Sequence, residues 1–360
     1  MTDYRDILVT GTGSFAARIV FDIAATASDP VRVVVAGRNQ DRLRWLVTAG
    51  NARASLFGKP ASFAPYEVDL LAPDAAGRMI ADNEPGIIAQ AASVQTSQVI
   101  ANRNSRWARL VAEGGLSVTA VSQALLSVRV AEAITKSGRD IAFFNCGFPD
   151  VVNGIIKALG HRIVSGFGNI AILSTAFSGA KHFEDPSRLK MLAHYQNLAA
   201  FRMPPAERTE TPPRVWIDGH EVPDVYRHFE DVRLTREPAI EISGASGVPL
   251  LLALAAGREW KGHVPGPDGR PGGYPVELRD GKLALDLPPG MDEAEAIRWN
   301  RAFEERGGMV VEEGGNVLFT GCLSDSLEEY NSSLAKGFNV RDIEQVFQSF
   351  EDLRRHLEAS

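Results

Sequence analysis

The sequence predicts an α/β protein in which a doubly wound parallel sheet is followed by a second, mixed α/β domain. Short apolar runs rich in β-branched residues alternate with helical patterns over residues 1–147, which is typical of a parallel sheet covered by helices. Two closely spaced glycines separate the first run from the first helical pattern. The alternation ends near residue 148, and a chain of 360 residues is long enough for two domains.

The first apolar run, residues 7–10, leads into Gly11-Thr12-Gly13-Ser14-Phe15-Ala16. This is G-x-G-x-x-A between a strand and a helix, the arrangement with which Rossmann-type domains bind the pyrophosphate of a dinucleotide. Gly11 permits the sharp turn, Gly13 lets the backbone approach the phosphates, and Ala16 keeps the helix close to the sheet. An ordinary tight turn between strand and helix is the alternative. We predict cofactor contacts at Gly11, Thr12, Gly13, Ser14 and Phe15.

The end of the second strand predicts which dinucleotide binds. The apolar run at residues 31–36 is followed by Gly37-Arg38-Asn39, where an NAD site would carry an acidic residue for the ribose 2′-hydroxyl. Arg38 and Arg42 present guanidinium groups that suit a 2′-phosphate, unless both are simply solvated at the start of a helix. We therefore expect NADP in preference to NAD, with Arg38, Asn39 and Arg42 at the cofactor.

Further strands and helices complete a six-stranded domain. Small residues after the fourth strand allow a cofactor to pass close to the backbone, because ligands bind outside the carboxyl ends of the strands. Asp69 ends the third strand and either contacts the adenine end of the cofactor or caps a turn. The remaining predicted cofactor contacts are therefore Asp69, Ala91, Ala92 and Ser93. Strands are predicted at residues 64–69, 86–92, 116–121 and 140–145, and helices at 41–54, 75–81, 96–114 and 124–136.

The second half predicts a mixed domain for substrate binding or dimerisation at residues 148–325, and a helical segment at 326–360. Residues 261–274 carry five glycines and three prolines, which predicts a long loop. We expect its part from Gly266 to Tyr274 to act as a mobile lid over the substrate. Asp280-Gly281 between two short runs predicts a hairpin. The amphipathic residues 341–357 predict a helix that packs back on the first domain. Further strands are predicted at 167–177, 215–217, 231–234 and 317–319, and helices at 151–159, 248–256 and 291–306.

The composition argues against several classes of function. The formal net charge of −7 and the lack of a Lys/Arg block argue against a nucleic-acid partner. The longest apolar runs fall short of a membrane span, and the N-terminus lacks the pattern of a signal peptide. Cys146 and Cys322 have neither the spacing of metal ligands nor that of a disulfide framework. We expect a metal-free cytoplasmic homodimer that acts on a small molecule.

Position and residue type predict the substrate contacts. Asp150 follows the last predicted strand of the sheet and would accept a proton or orient an amine, or would cap a helix. Lys181 and His182 follow an apolar run and offer a cation and a proton carrier, or belong to a surface loop. Arg270 and Tyr274 border the glycine-rich segment and would bind a carboxylate and donate a hydrogen bond. The alternatives for these two are a solvated arginine and a packed tyrosine.

These features, in this order, resemble the saccharopine reductase group of NADP-dependent dehydrogenases. That group has a Ser-Tyr pair where Ser122-Gln123 stands here, and a Gly-Leu-Asp-Pro-Gly turn at residues 147–150. This chain lacks the tyrosine and reverses the proline and aspartate. The resemblance covers the first 160 residues and implies reduction of a C=N bond, or its reverse, on an amino-acid-derived substrate, with Gln123 among the substrate contacts. It rests on Gly11-x-Gly13, Ala36-Gly37-Arg38-Asn39, the small residues after the fourth strand, Val121-Ser122-Gln123 and Gly147-Phe148-Pro149-Asp150.

The sequence does not contain the catalytic motifs that two other classes of oxidoreductase require. Short-chain dehydrogenases use Tyr-x-x-x-Lys to supply a proton, and no tyrosine in this sequence has a lysine four positions later. Zinc-dependent alcohol dehydrogenases need clustered Cys and His ligands, which the sequence also lacks. Two alternatives stay open, because a fold does not fix a function. They are an NADP-dependent sugar or aldehyde oxidoreductase of the same two-domain plan, and a non-catalytic NADP sensor.

Overall fold

The computed structural model describes residues 5–95, 105–235 and 239–359. At its centre lies a sheet of six parallel strands: β1 (Ile7–Thr10), β2 (Val31–Gly37), β3 (Ala61–Glu67), β4 (Ile87–Gln90), β5 (Ala142–Asn145) and β6 (Ser165–Gly166). The order across the sheet is β3-β2-β1-β4-β5-β6, the order of a doubly wound dinucleotide-binding sheet. The predicted fold class is therefore confirmed.

Helices cover both faces of this sheet. Because successive strand residues point to opposite faces, Ile7 and Val9 pack with the first two helices, while Leu8 packs with the third and fifth. Both faces are buried, which explains why the strands are continuous apolar runs rather than alternating ones. The helices of this half are α1 (Ser14–Thr26), α2 (Gln40–Leu56), α3 (Ala75–Asn83), α4 (Arg106–Gly114), α5 (Ala120–Ser137) and α6 (Pro149–Ala158).

The strand predicted at residues 116–121 is wrong. Leu116–Thr119 form a 3₁₀ turn and α5 begins at Ala120. A short apolar run does not distinguish a buried strand from a buried helix, and this run belongs to a helix. The strand predicted as the sixth is in fact β5, and β6 follows α6. Of the helix predicted over 96–114, residues 96–104 lie outside the described residues and the rest is confirmed by α4.

Three small antiparallel sheets and further helices form the second half. The first sheet holds β7 (Leu189–Leu192), β8 (Arg214–Ile217) and β9 (His220–Glu221); the second holds β10 (Trp260–Pro265), β11 (Gly273–Arg279) and β12 (Lys282–Leu285); the third holds β13 (Met309–Val311), β14 (Asn316–Phe319) and β15 (Phe338–Asn339). The helices are α7 (Ile170–Ala180), α8 (Asn197–Ala200), α9 (Val225–His228), α10 (Ile240–Ser243), α11 (Val248–Ala255), α12 (Glu293–Gly307), α13 (Gly321–Tyr330), α14 (Ser332–Ala335) and α15 (Ile343–Ala359).

Two strand predictions in this half are wrong. Residues 167–177 contribute to α7 from Ile170 onward, because a long run that is apolar on every side suits a buried helix as well as a strand. Residues 231–234 form no strand. The other predicted elements of this half are confirmed within a few residues. They are the strands at 215–217 and 317–319 and the helices at 248–256, 291–306 and 341–357.

The predicted long loop at residues 261–274 is instead two paired strands with a tight turn between them. β10 and β11 pair from Trp260 with Leu278 to Pro265 with Gly273. The turn is anchored to α6, because Asn153 Nδ2 donates to the Gly266 carbonyl over 3.0 Å. The structureless loop predicted over residues 261–274 is therefore wrong, whereas movement of residues 266–274 over the substrate stays a prediction. The hairpin at Asp280-Gly281 is confirmed, since β11 and β12 pair on either side of it.

The C-terminal helix packs back on the first half of the chain, as predicted. The Arg129 guanidinium on α5 lies 2.7 Å from the Glu344 carboxylate of α15, and the Ser122 hydroxyl donates to Glu351 over 3.2 Å. One described helical stretch, Leu116–Ser137, is long and apolar enough to cross a membrane. Since 72% of its apolar window is buried inside the protein, it has the character of a core helix.

Candidate functional site

The glycine turn after β1 fits closely against neighbouring backbone. Gly11 has φ +95°, and a Cβ on it would lie 3.0 Å from the Ala92 nitrogen and 3.1 Å from the Ala91 carbonyl oxygen. A Cβ on Gly37 would lie 2.8 Å from Thr12 Cγ2. Glycine at these two positions thus brings the ends of β1, β2 and β4 together at the carboxyl edge of the sheet, where ligands of such sheets bind.

Gly13 differs from these two glycines, because a Cβ on it would meet no described atom within 4 Å. Gly13 caps α1, and within the described residues this helix end has no side-chain cap and no acidic residue in its first turn. The first N–H groups of a helix have no partner within the helix and carry the positive end of its dipole. The residues present therefore fit an anionic group such as a pyrophosphate.

A buried polar pair holds the end of β4 below this turn. The Thr10 hydroxyl donates to the Gln90 side-chain oxygen, and Thr10 Oγ1 accepts from the backbone N–H groups of Ala91 and Ala92 at 3.1 and 3.3 Å. This pair fixes the backbone along which the cofactor was predicted to pass. The sequence analysis did not identify this pair. A polar residue at the end of each of two apolar strands could have indicated it.

Of the four predicted contacts that follow β2 and β3, one has no partner among the described residues and three are engaged within the protein. Arg38 is exposed and has no ion pair or hydrogen bond within the described part of the chain. The Asn39 side chain caps α2 by accepting from the Arg42 N–H over 3.0 Å, and Arg42 Nε donates to the Thr12 carbonyl over 3.3 Å. Asp69 accepts from the Leu71 N–H over 3.0 Å, which is the turn-cap alternative. Arg38 is therefore the cation available to a ligand here.

Asp150 lies beyond the end of β5, in the first turn of α6. Its carboxylate accepts from Asn169 Nδ2 over 2.5 Å and from the backbone N–H of Tyr195. The side chain is buried, and burial raises the pKa of Asp150 above its ordinary value, opposed by the nearby His194 and the hydrogen bond from Asn169. The helix-cap alternative is not observed, since Phe148 occupies the cap position.

His194 and Glu304 form a second buried pair beside Asp150. His194 Nε2 lies 3.7 Å from Glu304 Oε1, and among the described residues neither atom has a hydrogen-bond partner. His194 Nδ1 accepts from the Gln196 N–H over 3.4 Å, so the proton of the neutral ring lies on Nε2. Burial lowers the pKa of His194 to about 4 and raises the pKa of Glu304 to about 8. The site thus contains a neutral imidazole between two carboxyl groups.

Three distant segments bring this pair together. His194 follows β7, and the adjacent residue Ala193 forms a bridge with Gly273 at the start of β11. Glu304 lies near the end of α12. Its backbone carbonyl accepts a hydrogen bond from the Thr320 hydroxyl over 2.5 Å. Neither residue was identified in the sequence analysis. The sequence pattern does not distinguish Glu304 from the other charged residues of its helix. His194 is a lone histidine after an apolar run, which is only weak evidence for a site residue.

The structure brings only some of the predicted substrate contacts toward Asp150. Gln123 lies beside the end of β5, since a Cβ on Gly147 would be 3.5 Å from the Gln123 carbonyl oxygen. Its side chain donates to Thr119 over 2.7 Å. Lys181 and His182 follow the far end of α7, about 18 Å along the helix axis from the Asp150 partner Asn169, and the Lys181 ammonium lies over the Phe229 ring. These two residues are therefore not part of the same cluster.

The two residues predicted beside the glycine-rich segment are engaged within the protein. Arg270 Nη2 lies 2.6 Å from Glu293 Oε1, and Arg270 Nη1 donates to the Pro267 carbonyl over 3.1 Å. The Tyr274 side chain is buried, its hydroxyl donates to the Pro271 carbonyl over 2.7 Å, and burial raises its pKa. In this arrangement Arg270 is not a free carboxylate clamp, and Tyr274 already uses its proton in the β10–β11 turn.

In sequence comparisons, neither a family model nor a curated protein matches the chain. Solved structures do resemble it. The apo malate dehydrogenase of Picrophilus torridus is 11% identical, with 98% of this chain and 99% of that chain covered and a TM-score of 0.54. The lactate dehydrogenase of Cryptosporidium parvum is 12% identical, with 84% and 97% covered and a TM-score of 0.52. The malate dehydrogenase of Salinibacter ruber is 10% identical, with 96% and 99% covered and a TM-score of 0.50. At these identities, what the chain shares with lactate and malate dehydrogenases is their fold.

Proposed function

We propose that this protein is an NADP(H)-dependent oxidoreductase that acts on a C–N bond of an amino-acid-derived substrate. One observation carries the proposal: two features occupy the same carboxyl edge of the sheet. They are the open glycine turn after β1 and the buried Asp150, His194 and Glu304 cluster beyond β5. Dinucleotides bind in doubly wound sheets across this edge, where the strand order reverses. A cofactor on the glycine turn would therefore extend toward the buried cluster.

The residues of the turn fit a dinucleotide. The N–H groups at the start of α1 beside Gly13 would bind the pyrophosphate. Gly37 leaves room at the end of β2, and the Arg38 guanidinium, which has no partner in the described part of the chain, would bind a 2′-phosphate. Ala91 and Ala92 would border the nicotinamide half. When bound, such a cofactor supplies hydride transfer, and the protein supplies binding, orientation and electrostatics. The NADP preference depends on Arg38 and on the lack of an acidic residue at the end of β2.

The carboxyl groups of the buried cluster support a substrate that carries an amine or imine nitrogen. Asp150 and Glu304 both contribute carboxyl groups near His194, while Arg270 is already paired with Glu293. An opposite charge nearby favours the charged form of a group, so a cationic nitrogen would be stabilised beside Asp150 in its carboxylate form. The resemblance of residues 11–150 to saccharopine reductases supports the same substrate class.

His194 supports a second candidate, the interconversion of a hydroxyl and a carbonyl group. That chemistry needs a positioned proton carrier, and the sequence analysis found none among the motifs of alcohol dehydrogenases. His194 is buried beside Asp150 with a ring nitrogen that has no partner in the described residues. The buried His194 therefore supports the alternative that the protein is a sugar or aldehyde oxidoreductase.

A substrate panel tests the proposal. Reduction is followed by NADPH absorbance with cyclic imines and with pairs of amines and keto acids, against aldehydes, ketones and sugars. We expect turnover with members of the first group and a loss of at least tenfold in kcat for Asp150→Asn with unchanged NADPH affinity. Efficient turnover restricted to aldehydes, ketones or sugars would establish the second candidate. Saturable NADPH binding without any turnover would favour the sensor.

A further inference from the structure

We propose that Glu304 carries the proton that this site exchanges with its substrate, and that the neutral His194 imidazole, which faces the Glu304 carboxyl, does not change its own charge. This assignment rests on the proposed oxidoreductase function and adds the identity of the proton carrier. It holds for either substrate class, because reduction of a C=N or a C=O bond consumes one proton with each hydride.

The geometry pairs Glu304 with His194 and with no other described group. Their facing atoms, Oε1 and Nε2, lie 3.7 Å apart and have no hydrogen-bond partner in the described ranges. His194 is fully buried and Glu304 is 5% exposed. The imidazole stacks on Phe303, with ring centroids 5.2 Å apart and planes within 12°. The ring is thus fixed in a plane from which Nε2 points at the Glu304 carboxyl.

Hydrogen bonding distinguishes the two carboxyl groups. Asp150 accepts from Asn169 and from the Tyr195 backbone, and hydrogen bonds to a carboxylate favour its charged form. Glu304 Oε1 accepts none from the described residues. Two carboxyl groups in one buried site do not both ionise readily, and Glu304, without such bonds at Oε1, is the one favoured to hold the proton. Burial raises the pKa of both groups, that of Glu304 to about 8.

His194 stays neutral for a geometric reason. Its Nδ1 accepts from the Gln196 N–H, and a proton on Nδ1 would set two N–H groups against each other. Burial lowers its pKa, and the Arg306 charge lowers it further against the effect of Asp150. The group that changes charge near neutral pH is therefore Glu304 rather than His194.

Other titratable groups around Glu304 do not replace it. On its own helix, Arg301 and Glu305 act on its charge in opposite directions and pair with each other at 2.9 Å. From the packed segments, Tyr195 and Tyr274 face it, and burial raises the pKa of both phenols. Neither phenol exchanges a proton near neutral pH. Glu304 thus has the proton affinity that a general acid working at this pH needs.

With a reduced nicotinamide cofactor bound, hydride would add to the carbon of a neutral imine and the C=N π bond would break. The nitrogen would take the proton of the Glu304 carboxyl, which would become a carboxylate, and a proton from solvent would restore it. In oxidation, the Glu304 carboxylate accepts the proton that leaves the nitrogen. His194 does not change its charge in either direction.

The decisive experiment is infrared spectroscopy of the full-length protein across pH 5–10. We expect the carbonyl band of a protonated, buried carboxylic acid at pH 7, which disappears as the pH is raised past about 8 and is missing in Glu304→Gln at pH 7. Glu305→Gln is the matched control on the same helix, and it should keep the band. A wild-type spectrum without this band at pH 6–7 overturns the proposal, even if no variant can be purified.

Kinetics provide the second readout. With a substrate that turns over, Glu304→Gln should lower kcat at neutral pH by about 100-fold or more and remove the alkaline limb of the pH profile for reduction. An alkaline limb that persists in a folded Glu304→Gln variant would overturn the assignment. If the band titrates as expected but no substrate is reduced, the proposed function fails while the protonated Glu304 is established.

Discussion

Ala193 and Gly273 form an antiparallel bridge in which the Gly273 N–H donates to the Ala193 carbonyl over 2.8 Å. This bridge joins the end of β7 to the start of β11. His194 follows it directly, and Glu304 faces His194 from α12. Two backbone residues from different sheets thus decide where the buried pair of the candidate site lies.

The first prediction is that Gly273→Ala disrupts the site through this bridge. The added Cβ would lie 2.2 Å from Ile170 Cγ2 and 2.6 Å from Ile170 Cβ, and Ile170 follows Asn169, which binds Asp150. Overpacking of this kind costs about 1–3 kcal/mol of unfolding free energy, measured by urea denaturation. Gly77→Ala on α3 is the control, because its Cβ would meet no described atom within 4 Å, and it should be neutral or stabilising. Equal stability of the two variants would contradict the packing argument.

The second prediction separates the fold from cofactor binding at Gly13. A Cβ at this position meets no described atom within 4 Å, so Gly13→Ala should leave the unfolding free energy unchanged within about 0.5 kcal/mol. The same Cβ would project into the space proposed for the pyrophosphate. We expect at least a tenfold loss of NADPH affinity by fluorescence titration, with Gly77→Ala binding as the wild type does. Unchanged affinity would argue against a pyrophosphate at this turn.

The third prediction concerns the choice of cofactor. Loss of a charge-assisted hydrogen bond costs about 1.5–3 kcal/mol, so Arg38→Ala should weaken NADPH binding by about 10- to 150-fold. NADH binding should change little, because it lacks the 2′-phosphate. Arg44→Ala is the control, since Arg44 is exposed on α2, which begins two residues after Arg38, and pairs with Asp41 at 3.7 Å. Equal wild-type affinities for the two cofactors would refute the NADP preference.

The fourth prediction concerns stability against pH. Burial raises the pKa of Glu304 in the folded state to about 8, above its ordinary value of 4.5. The contribution of Glu304 to the free energy of unfolding is therefore fully present below about pH 4.5 and is lost as the pH rises through about 8. The contribution of His194 has the opposite pH dependence, because its folded-state pKa of about 4 lies below its ordinary value of 6.5. It is present above pH 6.5 and is lost as the pH falls through about 4.

Between pH 5 and 8 the Glu304 contribution should therefore lower the unfolding free energy of the wild type by a few kcal/mol, on the order of 3. Denaturation of Glu304→Gln over the same range should show a smaller loss. Glu305→Gln should behave as the wild type, because Glu305 is exposed. Parallel curves for all three proteins would show that Glu304 does not hold its proton more tightly in the folded state.

The sequence by itself determined the parts of this protein that depend on local pattern. The glycine turn at Gly11 and Gly13 could be predicted, because positive φ and close backbone approach leave a direct mark on residue type. The first four strands and α15 could be predicted from continuous or periodic apolar residues. Asp150 could be identified because it follows a strand at the expected edge of the sheet.

Only the tertiary structure decided the rest. The apolar run at residues 116–121 suits a buried helix or a buried strand, and it became a helix because β4 pairs with β5 at residues 142–145 instead. His194 and Glu304 are 110 residues apart in the sequence, and neither is part of a motif. They meet because Ala193, which follows β7, bridges to Gly273 at the start of β11, and α12 packs beside them. Periodicity reports which face of an element is buried, whereas contacts between distant elements depend on pairing that no local pattern records.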